Sequence, residues 1–153
     1  MELSYVVAGP GDIDALVSMR IKVLRAANKL GDTADMSAVI EPSRQYYLKS
    51  LCDDDHVAYL VYDGCEIIGT GGISFYNVLP PCSNPSGRKS YIMNMYTSPD
   101  YRRMGVAAKT LELLVNEAKK RGITAIGLEA TDIGRPLYEK YGFVAAGAEM
   151  ELP

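Results

Sequence analysis

The chain has no tryptophan, two phenylalanines and one histidine in 153 residues, and each scarcity removes some chemistry. His56 stands beside Asp53-Asp54-Asp55 in what reads as a turn, and a triad built on it would need a nucleophile that the sequence does not advertise. Cys52, Cys65 and Cys82 are an odd number without CxxC spacing. That argues against a disulfide frame and a zinc site, and for reduced thiols in a cytoplasmic protein. No group of His, Cys and carboxylates has ligand spacing, so no metal is expected. No apolar stretch approaches the roughly 20 residues of a membrane span, and the start "MELSYVVAGPGD" lacks the basic region and apolar run of a signal peptide. A net charge of −3 gives no electrostatic footprint for nucleic acid.

What is present suits a single globular domain spanning 1–153, with 48% hydrophobic and 23% charged residues and neither repeats nor linkers. "LSYVVA" predicts a strand closed by Gly9-Pro10-Gly11, and Asp12 offers an N-cap to a helix running to about Ala27. Ile13, Leu16, Val17, Leu24 and Ala27 share one face of that helix, with Arg20 in its middle. Residues 28–41 predict a loop or broken helix, and Pro42 to Leu51 a second helix. "HVAYLVYDG" and "CEIIGTGGISFYNV" predict a hairpin through Asp63-Gly64. A turn-rich loop "PPCSNPSGRK" precedes a strand "SYIMNMYT". A long helix then ends at Gly122, followed by a buried strand "AIGLEAT". "RPLYEKY" predicts a short helix, and "FVAAGAEMEL" a last strand or hairpin. This order implies an α/β domain, with helices on the faces of a mixed sheet.

Between the strand ending near Thr97 and the next helix stand Arg102, Arg103 and Gly105. Ala107, Leu111, Leu114, Val115 and Ala118 form one apolar stripe, so the helix packs firmly and its first turn is fixed at the strand's carboxyl end. A helix start carries unpaired N–H groups and about half a positive charge. Gly105 leaves room beside it, and the turn 103–108 can therefore cradle a phosphate. The plainer alternative is a helix start with two solvated arginines. The spacing is neither GxxxxGK[ST] nor GxGxxG, so ATP and dinucleotide readings lose support.

Arg102-Arg103-Met104-Gly105-Val106-Ala107 resembles the [Q/R]-x-x-G-x-[G/A] signature of the GCN5-related N-acetyltransferase (GNAT) superfamily, and "RPLYEKYGF" resembles its second motif. The resemblance extends to the order of elements over nearly the whole chain. It implies a mixed, mostly antiparallel sheet of six to seven strands, splayed between residues 91–97 and 125–130 and flanked by about four helices. It also implies that acetyl-CoA is the donor: its pyrophosphate on Arg102, Arg103, Met104, Gly105, Val106, Ala107 and Ala108, its pantetheine along Met95, Tyr96 and Thr97. Tyr138 matches the family's general-acid tyrosine, with core packing as the alternative, and the Met95 N–H its oxyanion donor. Where some relatives carry a glutamate, Tyr91 stands, and the strand has no carboxylate. Glu129 is then a candidate base, directly or through water, or a structural partner. Thr131 occupies the place of an asparagine that touches the cofactor in many relatives. Arg135 could reach coenzyme A phosphates or pair with Glu139.

On the acceptor side, Arg20 is read as a buried ion pair with Glu129, Asp132 or a nearby acid, or as a partner for an acceptor carboxylate. Asn94 could orient a water or the substrate, or tie down a loop, and Tyr76 with the 79–90 loop could shape the cleft. The expected activity is direct acetyl transfer to a primary amine, mostly of a small molecule, in a ternary complex. Rivals are a peptide or protein N-acetyltransferase and a non-catalytic acyl-CoA sensor. A homodimer using the apolar tail is compatible with the resemblance.

Overall fold

Strand periodicity sorts the apolar residues of this chain into two layers on either side of a sheet. The computed structural model describes residues 2–153. It contains strands β1 (Leu3–Val7), β2 (His56–Asp63), β3 (Glu66–Asn77), β4 (Arg88–Thr97) and β5 (Ala125–Leu128). Helices α1 (Ile13–Ala27), α2 (Ser37–Cys52), α3 (Val106–Lys120) and α4 (Arg135–Tyr141) complete it. The strands lie in the order β1-β2-β3-β4-β5, antiparallel except for the parallel pair β4–β5.

Alternation along β2 shows how the layers form. Val57 and Tyr59 pack with Leu111, Leu114, Val115 and Ala118 of α3, and with Tyr138 of α4. Ala58 and Leu60 point the other way, onto Ile13, Leu16, Val17 and Met19 of α1 and Tyr47 of α2. Leu16, Leu60, Leu111 and Leu114 are fully buried, each contributing about 2 kcal/mol relative to exposure. Four of the five residues read as the α3 stripe pack in the core, with Ala107 half-buried at its start, and α1 and α2 are tied at the surface by the Arg44–Asp14 ion pair.

Four expectations are corrected. The sheet has five strands rather than six to seven, because residues 143–153 form none. Val144, Met150 and Leu152 are 86%, 96% and 98% exposed, so the apolar tail gains no buried face that would favour pairing. Helix α2 begins at Ser37, with Pro42 inside it, where proline has no N–H to give to the preceding turn. Asp12 does stand at the N-cap of α1, but its carboxylate caps no amide of that helix and instead accepts the Gly9 N–H at 2.8 Å, closing the 3-10 turn Pro10–Asp12. His56 is no turn residue: it opens β2 and is 3% exposed.

Candidate active site

One inserted residue in β4 shapes the site. Gly72 of β3 pairs with Met93, but Thr70, two residues earlier, pairs with Tyr96, three residues later, so β4 carries one extra residue. The surplus is absorbed at Asn94, whose φ is +61°, a left-handed conformation that asparagine tolerates better than most residues. Side chains of Met93 and Asn94, neighbours that would alternate in a regular strand, both line the cavity between β4 and helices α1 and α2. Met95 packs on the opposite side, in the cluster that holds Leu128 and Tyr138.

The parallel pair β4–β5 runs from Lys89↔Ala125 to Ile92↔Leu128 and stops there. From Met93 to Thr97, β4 continues on β3 but has no partner on its other side. The expected splay is present, opening just past Ile92 and Leu128. Thr97 Oγ1 is buried near the end of this edge and, among the described residues, has no hydrogen-bond partner.

The edge leads into the turn 98–105. Tyr101 pins it by donating from its hydroxyl to Asp63 Oδ2 at 2.6 Å, and that carboxylate pushes the Tyr101 hydroxyl up to about 12. Arg102 Nε donates to the Thr97 carbonyl at 3.2 Å, stapling the turn to the strand. Arg103 (φ +61°) and Gly105 (φ +82°) are both left-handed, and such local reversals make successive N–H groups converge. Among the described residues, the amides of 103–108 donate to no backbone or side-chain acceptor. A Cβ on Gly105 would meet nothing within 4 Å, so its face of the turn opens to solvent. Met104 and Ala108 are exposed, Ala107 is half-buried, and Val106 is buried against Val61 and Ile68, anchoring α3. A diphosphate suits this arrangement of unpaired donors and two arginines.

Tyr138, on α4, is buried beside Phe143, with ring centroids 6.2 Å apart. Burial raises its hydroxyl above the usual 10. Glu129 is exposed, one residue past the end of β5, and close enough to Tyr91 to raise that phenol, after burial as the larger cause. Thr131 Oγ1 accepts the Gly134 N–H at 3.1 Å, closing the turn before α4. Arg135 pairs with Glu139 at 2.6 Å, as its four-residue spacing suggested.

Arg20 departs from the ion-pair expectation. Its Nη1 donates to Asn94 Oδ1 at 3.0 Å, and it pairs with neither Glu129 nor Asp132. Both residues line a cavity of about 350 Å3 with Leu24, Val39, Tyr46, Tyr47, His56 and Met93. Tyr76 lies outside it, on a second, more open cavity of about 290 Å3 that shares Tyr46. The structure therefore brings Arg20 and Asn94 together and leaves Tyr76 and Arg135 apart from them.

Sequence reasoning passed over Tyr46 and Tyr101 and set His56 aside as a turn residue. The His56 Nδ1 lies 2.9 Å from the Tyr46 hydroxyl, while its buried Nε2 has no partner among the described residues. Gly72 makes this fit possible, since a Cβ there would stand 2.8 Å from Nε2. A signal was available: the sole histidine begins an uninterrupted strand-like run. Burial pushes His56 down from 6.5 to about 4. The folded protein thus holds His56 neutral where the unfolded chain would protonate it. This contribution to stability is fully present above about pH 6.5 and is lost as pH falls toward about 4, by roughly 3 kcal/mol at most. Urea unfolding at pH 7 and pH 4.5 checks it. His56→Gln should flatten the dependence, and parallel losses in both proteins would assign it to other groups.

A sequence model of the Acetyltransferase (GNAT) family matches residues 26–143. An uncharacterized N-acetyltransferase of Bacillus subtilis, YsnE, is 29% identical over 101 residues. That match covers 63% of this chain and 61% of the relative, so the chain spans about three fifths of that protein's length. The crystal structure of a predicted acetyltransferase with acetyl-CoA from Clostridium acetobutylicum is 36% identical, with a TM-score of 0.91, over 99% of this chain and 96% of that one. A GCN5-related N-acetyltransferase from Ralstonia eutropha JMP134 shares the fold at 24% identity, with a TM-score of 0.86, over 99% of this chain and 98% of that one.

Proposed function

The chain belongs to the acetyltransferase (GNAT) family, and from that premise we propose that it moves an acetyl group from acetyl-CoA to a primary amine of a small molecule, both bound at once. The observation that carries this reading is the turn 103–108, whose amides lack protein acceptors and which adjoins the unpaired edge of β4. Amides of Arg103 to Ala108 bind the diphosphate, with Arg102 and Arg103 adding charge. The β4 edge from Met95 through Tyr96 to Thr97 accepts an extended chain carrying amides, as a missing strand would.

Acetyl-CoA supplies a thioester whose acyl carbon an uncharged amine can attack. The residues of the chain manage the protons and charge around that carbon. Tyr138 holds a proton at its hydroxyl for the departing sulfur, and its burial keeps that proton in place at neutral pH. The Met95 N–H is the donor for the carbonyl oxygen. Glu129, exposed beside Tyr91, takes the proton released by the amine, directly or through a water. Thr131 and Arg135 lie at the same end of β5, with Arg135 able to leave Glu139 for a phosphate. The three free, exposed thiols fit a cytoplasmic setting.

A sensor that binds acyl-CoA without turnover draws support from one fact, the absence of a carboxylate on β4. Calorimetry and mass spectrometry separate the readings. The transferase binds acetyl-CoA and adds acetyl mass to at least one amine of a mixed library, whereas a sensor binds and adds none. No heat with either acetyl-CoA or coenzyme A would overturn both.

A further inference from the structure

The cavity between α1, α2 and β4 has one charge in its lining. Arg20 is the only charged residue there, and among the described residues it makes no ion pair. A guanidinium kept partly out of water usually faces a carboxylate, because a neutral partner offsets little of its lost hydration. Here the partner is the amide of Asn94, reached by Nη1 at 3.0 Å. That bond uses one of five N–H donors and fixes the plane of the guanidinium, leaving the rest of the fork for a second, bidentate acceptor. Leu24, Val39, Pro42 and Met93 make much of the remaining wall apolar, while Tyr46, Tyr47, Ser43 and His56 add polar but uncharged groups. A volume of about 350 Å3 lies at the small end of small-molecule sites.

We infer that the acceptor is a small amino carboxylate with an apolar body, of the size of a single amino acid, whose carboxylate Arg20 receives while Asn94 holds the guanidinium in place. This rests on the transferase reading above and names its substrate class. A diamine or an aminoglycoside-like polycation would bring positive charge against Arg20 with no acid in the cavity to receive it. A phosphate, with two charges, would leave one of them unbalanced where Arg20 is the one cation in the lining. The same positive field disfavours the ammonium form of the bound amine, so it helps deprotonation where β4 has no carboxylate. Asn94 acts through Arg20 and is a positioning residue, placed by the bulge that gives it φ +61°.

Matched pairs test this: leucine against isoamylamine, phenylalanine against phenethylamine, and putrescine as the dication. Acetylated product is followed by mass spectrometry, and amino-acid binding to the coenzyme A-loaded protein by calorimetry. Wild type should favour each amino acid over its decarboxylated partner by about 30-fold or more in kcat/KM, the size of one charge-assisted contact. Arg20→Gln should bring that ratio to within about threefold of unity. Asn94→Gly keeps the left-handed backbone and removes the carbonyl that orients Arg20. It should lower the ratio partway through KM for the amino acid, and coenzyme A titration reports whether each variant is folded. Acetylation of putrescine and the plain amines as readily as of the amino acids leaves the transferase reading standing and overturns this one. Amino acids that bind only while Arg20 is present, with acetyl transferred to none of the amines, keep Arg20 as the carboxylate site but overturn the transferase reading and, with it, the acceptor role. Failure of every amino acid to bind or react overturns the inference outright.

Discussion

Tyr138→Phe is expected to lower kcat about 100-fold while leaving the affinity for acetyl-CoA within about twofold of wild type. The substitution removes one oxygen from a ring that packs edge-on against Phe143 in a cluster with Leu111 and Leu114, so the core keeps its shape. Burial raises this phenol above 10, so it remains a proton donor across the neutral and mildly alkaline range. The sign follows from its neutral acid form: activity that depends on the donor persists through pH 9 and declines only where the hydroxyl ionises, above 10. The variant should lack that alkaline limb. Steady-state kinetics with calorimetry for cofactor binding gives both readouts. A kcat within threefold of wild type would return Tyr138 to ordinary packing.

Gly105→Val is expected to weaken coenzyme A binding about 100-fold, a loss of about 2.7 kcal/mol. Two effects combine and can be separated. Valine at φ +82° carries a backbone penalty of about 1–2 kcal/mol, and its branched side chain stands where the turn opens to solvent. Gly105→Asn divides them, since asparagine tolerates the left-handed region yet still fills the opening. Its melting temperature should stay near wild type while its affinity falls. Should Gly105→Val bind coenzyme A within threefold of wild type, the diphosphate is held elsewhere.

Much of the fold follows from local signals. The Asp63-Gly64 turn is where β2 and β3 meet, Gly64 adopts φ +60°, and Gly122 adopts φ +71° just beyond α3. The parallel pairing of β4 with β5 follows from the strand–helix–strand order. The parts that escaped depend on distant partners. An extra residue in β4 is defined only against β3, so "YIMNMY" could flag Asn94 as a polar misfit but not its bulge. His56 sits after three acids that favour a turn, yet the Phe75 N–H donates to the Asp55 carbonyl at 2.8 Å and draws the segment into the sheet. Tyr101 finds its acceptor 38 residues away. The tail misled for the opposite reason: its apolar letters suit a strand, but no neighbouring surface receives them. At the site, the turn through Arg103 and Gly105 was legible because its signals are local, whereas the Arg20–Asn94 contact joins residues 74 apart.

Cys52, Cys65 and Cys82 are all free and exposed. Reagents that report coenzyme A release by counting sulfhydryls will therefore meet up to three more on every polypeptide, a background proportional to enzyme concentration and blind to the amine supplied. In air, free coenzyme A carried with the protein can also join these sulfurs as a mixed disulfide, so storage history would alter mass and apparent stoichiometry before any acyl group moves.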